Sequence, residues 1–417
     1  MKTVLKWLAL GALLAFASAQ AQTDVIWLGL SGTDGRPEFR DEIAAAYNEA
    51  NADVNIVQEL LENENFKAKL PSLLQTNDAP DLYYSWGGGL FHEQAAAGAA
   101  RDITDLLSEE FLATQSAAGI NAFTHDGRIY GLPVNVSQVG FFYNKALIEE
   151  AGVDIEAIVT WDDFLAAVQQ IKDAGITPIA VGGSDLWPLH FYWSYLAMRI
   201  AGQEGMEAAK AGEGAGFADE AFIAAGEQFK RLVDLEPFQE GAMGMNWPDS
   251  AGFFGDGNAA IMLMGNWFLG SQRGEAADGE GLSNEELGFF NFPIVEGGAG
   301  RATDTLGGIN GYVVGPNASD EAVAFLQHYV NQENQVEAGK RGLLIPQAAG
   351  ADAEITDPFL AQISRNIAES QWHQIFLDQD LGADVGGVVN DISGKLASGD
   401  IDPQTAAELI QESWELR

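Results

Sequence analysis

Gly257-Asn258-Ala259-Ala260-Ile261-Met262-Leu263-Met264-Gly265-Asn266-Trp267 is the stretch on which the reading of the fold turns. The turn Gly255-Asp256-Gly257 leads into a short, wholly apolar run from Ala259 to Met264, and Gly265-Asn266 ends it. A run of that length between turn residues fits a strand buried on both faces, as in a parallel sheet with helices above and below. Ligands of such sheets bind just beyond the carboxyl ends of strands, where Asn266 and Trp267 fall. The competing reading has the indole capping a core, since aromatic rings dominate core packing.

The chain on either side repeats the pattern. Asp24 to Leu28, Val54 to Leu61 and Asp81 to Trp86 read as strands, with amphipathic helices at 37–51 and 65–74 between them. Strand–helix–strand–helix–strand is a doubly wound parallel sheet. Ser31, Glu62 to Asn65 and Trp86 then lie beyond three strand ends, on one rim. Asp126-Gly127 reads as a hairpin turn. Val134 to Tyr143 is a long extended run of the kind that leaves one lobe for another. Trp161 opens a helix capped by Thr160 or Asp162. Pro178 to Gly183 reads as a further buried strand, followed by Asp185, Trp187 and an aromatic-rich helix at 191–201. A second crossing is expected at Leu287 to Pro293, a strand at Gly307 to Val314 that ends a stretch containing Asn310, and a third crossing near 332–336. The remainder reads as helical, with a break at 382–387 and a last helix opened by Asp402-Pro403.

At 417 residues the chain calls for two or three domains. Lys2 and Lys6, the apolar run Trp7 to Phe16 and the A-x-A sites Ala17-Ser18-Ala19 and Ala19-Gln20-Ala21 make residues 1–21 a secretory signal peptide. The periplasm is the expected compartment. With no cysteine, neither disulfides nor a lipid anchor at the cleavage site is expected. The 21 basic against 61 acidic residues give a net charge of −40. Such a polyanion does not bind nucleic acid or anionic lipid non-specifically. The acids are spread along the chain, which reads more simply as a hydrated acidic surface than as a trap for a cation.

Ala79-Pro80-Asp81-Leu82 leading to Trp86, Gly131-Leu132-Pro133 followed by Gly140 to Lys145, Thr160 to Phe164, Gly257 to Trp267, Asn317-Ala318-Ser319 and Ser398 to Pro403 occur in an order that carries a resemblance. The chain resembles the extracellular solute-binding proteins of sugar-importing ABC transporters, the group that includes maltose-binding protein. That resemblance implies an α/β fold of two lobes, each a mostly parallel sheet flanked by helices, with three crossings and a ligand held between the lobes. It assigns 22–131 plus 293–332 to an N-terminal lobe and 132–292 plus 333–417 to a C-terminal lobe. It also implies a monomer that delivers its ligand to a membrane permease, with no cofactor and no metal.

A neutral sugar presents an apolar C–H face that packs on indoles, and hydroxyls that pair with carboxylates and amides. The strand-end positions supply Trp86, Trp187 and Trp267, with Glu64, Asn65, Asn135, Asp185, Asn266 and Asn310 beside them. The resemblance adds Trp372 and Asp378 from the late C-terminal-lobe segment. Trp193 reads as core, Trp27, Trp161, Trp247 and Trp414 as structural, and His190 and His373 as packed residues. Asn310 and Asn266 have turn roles as their alternative, and Glu64 and Asp185 have helix capping. No candidate position carries the Arg that a phosphate- or carboxylate-bearing ligand would want. Two rival functions stand. A polyamine would also suit Trp with carboxylates, and an exported carbohydrate-active enzyme would share the platforms. Against the enzyme, the chain has no G-x-S-x-G, H-E-x-x-H or P-loop, no cysteine nucleophile, and only five scattered His.

Overall fold

The computed structural model describes residues 22–417, so the expected signal peptide lies outside the described residues. The opening alternation is realised almost to the residue. β1 (Thr23–Leu30), α1 (Arg36–Ala50), β2 (Val54–Leu61), α2 (Asn63–Leu73) and β3 (Leu82–Ser85) follow one another, and β1 pairs in parallel with both β2 and β3. Glu62 makes the switch from β2 to α2. Its extended backbone closes the strand, and its carboxylate accepts from the N–H groups of Glu64 and Asn65, which caps the helix. After α3 (Gly88–Ala96), α4 (Glu109–Leu112) and α5 (Ala117–Ala122), the β4 (Thr124–His125) and β5 (Arg128–Ile129) hairpin turns at Asp126-Gly127. Both turn residues have positive φ, as a two-residue hairpin loop demands.

The extended run expected from Val134 is the 14-residue strand β6 (Gly131–Asn144), and it serves two cores. Leu132 and Val134 pack with Trp27, Tyr83 and Phe91 in the first, while Val136, Val139 and Phe141 pack with Trp161, Trp193 and Met264 in the second. The second core is built by α6 (Lys145–Ala151), α7 (Trp161–Asp173), α8 (Trp187–Lys210), α9 (Glu220–Val233), α10 (Trp247–Gly255), β7 (Ile261–Gly265), α11 (Phe268–Gly274) and β8 (Leu287–Phe290). Thr160, rather than Asp162, caps α7, in a reciprocal box with Asp163. β9 (Thr305–Val314) then runs back antiparallel to β6 and lies between β3 and β6 in the sheet. Beyond it come α12 (Asp320–Tyr329), α13 (Gln332–Lys340), β10 (Ile345–Pro346), α14 (Pro358–Glu369), β11 (His373–Ile375), α15 (Leu377–Asp380), α16 (Gly382–Ser398) and α17 (Pro403–Leu416). The result is two α/β lobes joined where β6, β9 and β10 pass side by side.

Several expectations need correction. β7 is buried throughout, but it pairs antiparallel to β6, Val139 opposite Gly265 and Tyr143 opposite Ile261, so the opening stretch is not part of an all-parallel sheet. The stretch 178–183 makes only bridges at Ile179, to Phe238 and Ile261, because its backbone passes between neighbours without extending along them. The break expected at 382–387 is narrower: Gly382 takes a positive φ at the junction of α15 and α16, and residues 383–387 already belong to the first turns of α16.

The crossings also sit later than expected. Phe289 and Phe292 pack inside the second core, and so does Leu306, whereas Tyr312 belongs to the first. Leu344 belongs to the first core and Ile345 to the second. Packing therefore changes hands within β9 and at β10, not at 293 and 333. At the hinge Asn135 and Asn310 stand opposite each other, beside a register shift between Pro133 and Asn135.

Candidate ligand-binding site

A cavity of about 450 Å³ lies between the lobes, within the range usual for small-molecule sites. The first lobe lines it with the loop after β1 (Thr33, Asp34, Arg36), the β2–α2 junction (Glu62, Asn63, Lys67) and Trp86 after β3. The second lobe contributes the start of α8 (Trp187, His190), the start of α10 (Trp247), Trp267 after β7, and Phe376, Asp378 and Gln379 around α15. Asn310 reaches it from the hinge.

The second-lobe wall is aromatic and continuous. Trp187 stands 5.6 Å from Trp247 and 6.4 Å from Trp267, and Trp267 meets Phe376 edge-on at 5.9 Å. The Trp267 ring folds back over its own strand: a Cβ built on Gly265 would sit 1.9 Å from the indole, so only glycine leaves the ring where it is. Across the cleft Trp86 is held by Tyr84 at 5.2 Å and Phe66 at 5.7 Å, both edge-on. The Lys67 ammonium lies between the two walls, 5.7 Å from the Trp86 ring centre and 5.9 Å from that of Trp187, and 3.1 Å from Glu64 Oε1.

The polar groups are arranged around that wall. Arg36 Nε donates to Asp34 Oδ2 at 2.8 Å. Burial alone would lift the Asp34 carboxyl, but the Arg36 charge and hydrogen bonds outweigh it and hold the group below the usual carboxylate range. His190 Nδ1 is 2.6 Å from the Trp187 carbonyl, and its Nε2 lies 3.7 Å from Asp378 Oδ1. Burial pushes the His190 pKa down, which favours a neutral ring that donates from Nδ1. Asn390 Nδ2 donates to the other Asp378 oxygen at 3.2 Å. Trp187 Nε1, His190 Nε2, Asn310 Oδ1 and Gln379 Oε1 have no hydrogen-bond partner in the protein, so four polar atoms of lining residues, one donor and three acceptors with His190 protonated on Nδ1, are unsatisfied by protein groups.

Of the residues singled out from sequence, the fold brings Trp86, Trp187, Trp267, Asn310 and Asp378 into the lining. The other six stand outside it, each for a local reason. Asn266 Oδ1 accepts from Gln138 N at 3.1 Å and braces the crossing strand. Asn135 is buried in the hinge. Glu64 pairs with Lys67, and Asn65 is an exposed residue of the first turn of α2. Asp185 Oδ2 accepts from Trp247 N at 2.8 Å and anchors the start of α10, while burial lifts its pKa. The Trp372 carbonyl accepts from Thr305 N in the lead-in to β11, and its ring packs on the second core.

Trp247, expected to be structural, lines the cavity because Asn246 and Asp185 fix the helix start that carries it. Arg36 also corrects the expectation of a cleft without Arg, and Lys67 stands in the same lining. Arg36 could have been found as the first helical residue after the β1 loop, since helix starts that follow strand ends face the rim.

The lobes meet around the cavity through very close contacts. Thr33 Oγ1 donates to Glu275 Oε1 at 2.7 Å. Glu93 Oε2, on α3, accepts from Ala383 N at 3.0 Å and so caps the first turn of α16 from the opposite lobe. Glycines occupy both seams. A Cβ on Gly270 would lie 2.7 Å from Asp34 Cβ, and one on Gly274 would lie 2.4 Å from the Thr33 carbonyl. One on Gly89 would lie 2.4 Å from the Asp380 carbonyl. Among the described residues no group of three or more His, Asp or Glu is placed to hold a metal ion.

Known proteins share this architecture. A structure from work on xylan utilization by the thermophilic bacterium Caldanaerobius polysaccharolyticus superposes with a TM-score of 0.86 at 24% identity, covering 93% of this chain and 99% of the other. A chitin oligosaccharide binding protein superposes at 0.84 with 23% identity, covering 95% and 98%. An uncharacterized ABC transporter extracellular-binding protein of Pyrococcus horikoshii is 23% identical over 354 residues, 83% of this chain and 76% of the relative. The family model for bacterial extracellular solute-binding proteins matches residues 31–336, which include the hinge strands β6 and β9 but not β10. By that match the chain belongs to the bacterial extracellular solute-binding proteins.

Proposed function

We propose that this chain captures a neutral saccharide between its lobes and hands it to the membrane permease of an ABC importer. The observation that carries the reading is the wall of Trp187, Trp247 and Trp267 facing Trp86, with Glu62, Asn63, Asn310, Asp378 and Gln379 around it. Flat indoles suit the C–H faces of sugar rings, and the amide and carboxylate oxygens suit their hydroxyls. Relatives that carry sugar names, such as the chitin oligosaccharide binding protein, support the ligand class, and the Pyrococcus relative supports the importer. In this reading residues 1–21 direct export to the periplasm, the chain works as a monomer without catalysis, and the lobes divide within β6 and β9 and before β10.

A polyamine is the rival ligand: the lining sets Asp34, Glu62, Glu275 and Asp378 against Arg36 and Lys67, and the two cations are themselves paired, with Asp34 and Glu64. Titration calorimetry with a panel of neutral sugars and polyamines tests the assignment. Saturable one-to-one binding of a sugar, without product on prolonged incubation, is the expected result. Binding of polyamines alone would overturn it, and turnover of the sugar would make the chain an enzyme.

A further inference from the structure

We propose that Asp34 makes the cleft selective for uncharged over acidic saccharides by cancelling the charge of Arg36. The inference rests on the sugar reading and concerns which saccharides that same site turns away. An arginine in a ligand cleft ordinarily invites a carboxylate or a phosphate, because its planar fork binds such groups bidentately. Arg36 lines the cavity, so the site holds the residue type that an acidic sugar would want.

Asp34 already occupies that arginine. Asp34 Oδ2 accepts from Arg36 Nε at 2.8 Å and also pairs with Nη2, which takes up one edge of the guanidinium. Asp34 Oδ1 accepts from the Arg36 backbone N–H at 3.1 Å. These bonds and the Arg36 charge keep the carboxyl ionised at neutral pH, although its side chain is only 8% exposed. The opposite lobe holds the pair in place. A Cβ on Gly270 of α11 would lie 2.7 Å from Asp34 Cβ, so the loop cannot shift toward that helix.

The rest of the lining offers an anion no replacement. Lys67, the other cation, lies 3.1 Å from Glu64 Oε1. Glu62 caps α2, Glu275 accepts from Thr33, and Asp378 accepts from Asn390. Among the described residues none of these three carboxylates pairs with a Lys or Arg. A sugar carboxylate would therefore either displace Asp34 and leave it buried without its partner, or lie beside a neutralised pair amid further negative charge. A hydroxyl in the same place faces neither cost, and the carboxylates and amides accept its proton.

The test uses glucose, galactose, maltose and cellobiose, each beside the same sugar oxidised at a primary alcohol to the uronate. All are titrated calorimetrically into the full chain at neutral pH and low salt. In any pair whose neutral member binds, the uronate is expected to bind about tenfold more weakly or worse. Asp34→Asn keeps the shape but leaves Arg36 uncompensated, so it should tighten the uronate by about fivefold or more without tightening the neutral sugar. Adding Arg36→Gln should abolish that gain, a dependence that a merely structural role for Asp34 would not produce. Arg36→Gln alone frees the Asp34 charge and should widen the preference for the neutral member by about fivefold, which keeps the proposal testable if Asp34→Asn does not fold. Equal binding of both members by the parent, a folded Asp34→Asn protein with no gain, or an unchanged preference in Arg36→Gln would each overturn the proposal and leave the sugar reading intact. Binding of none of the neutral sugars would overturn the sugar reading and the inference with it.

Discussion

Replacing Gly265 by alanine should damage binding without removing any group from the cavity. Gly265 ends β7 opposite Val139, and its added Cβ would lie 1.9 Å from the Trp267 ring. Ordinary contact begins near 3.4 Å, so the indole must retreat by about 1.5 Å or the strand end must bend. A gap of 0.5–1 Å already forfeits a quarter to a half of a dispersion well, so a platform displaced further loses much of its stacking. A stacked aromatic pair with its buried area contributes on the order of 1–2 kcal/mol, which predicts a roughly 5- to 30-fold rise in Kd. Trp267→Ala removes the ring altogether and should cost at least as much, about tenfold or more. The assay is calorimetry with the best sugar of the panel, alongside thermal melts to show that both variants are folded. A folded Gly265→Ala protein that binds like the parent would mean that the position of the ring is immaterial, and Trp267 would leave the site.

Three further outcomes are expected. Glu93→Ala removes a cap that α16 receives only from the other lobe, so sugar affinity should fall a few-fold, as a lost N-cap costs about 1 kcal/mol. Equal Kd values for the two proteins would show that this seam does not contribute to closure. Arg199 is buried and donates to the carbonyls of Phe292, Pro293 and Asp304, so Arg199→Met should lower stability by about 3 kcal/mol in urea unfolding. A loss under about 1 kcal/mol would mean that those carbonyls find other partners.

The third concerns pH. Burial lowers the pKa of His190 and takes that of His373 down to about 4, so the unfolded chain binds protons near pH 6.5 that the folded chain refuses. The stabilisation is complete above about pH 6.5 and is lost as the pH falls toward 4. Between pH 6.5 and 5, above the ordinary carboxylate range, Tm should decline with falling pH and His373→Gln should flatten the slope. A Tm that is level or rising on acidification through that window would contradict the assignment.

Sequence reading recovered the elements whose signals are local. The β1–α1–β2–α2–β3 alternation, the Asp126-Gly127 hairpin and the Thr160 cap depend on periodicity and turn chemistry within a few residues of each other. The direction of β7 was not legible, because an apolar run buried on both faces looks the same whether its neighbour runs parallel or antiparallel. The crossings were placed too early for a related reason. β8 and its exit through Phe292 are as extended and apolar as a true crossing, and only packing assigns them to one lobe.

In the site, Trp86 and Trp267 follow strands and could be named, and Trp187 was named from a strand that forms only bridges. Trp247 was missed because its position depends on Asp185, 62 residues away. Asn266 and Asp185 were correctly seen as polar and near the rim, but each spends its oxygen on a backbone N–H.

The place of β9 between β3 and β6 has a consequence for the order in which the molecule can assemble. When the chain has been made as far as β6, the first lobe still lacks the strand that joins β3 to β6, and that strand is not finished until residue 314. Until then β3 and β6 present open edges, and all of β7 and β8 has been synthesised in between. Neither lobe is a contiguous piece of chain, so neither can reach its final sheet early and wait for the other.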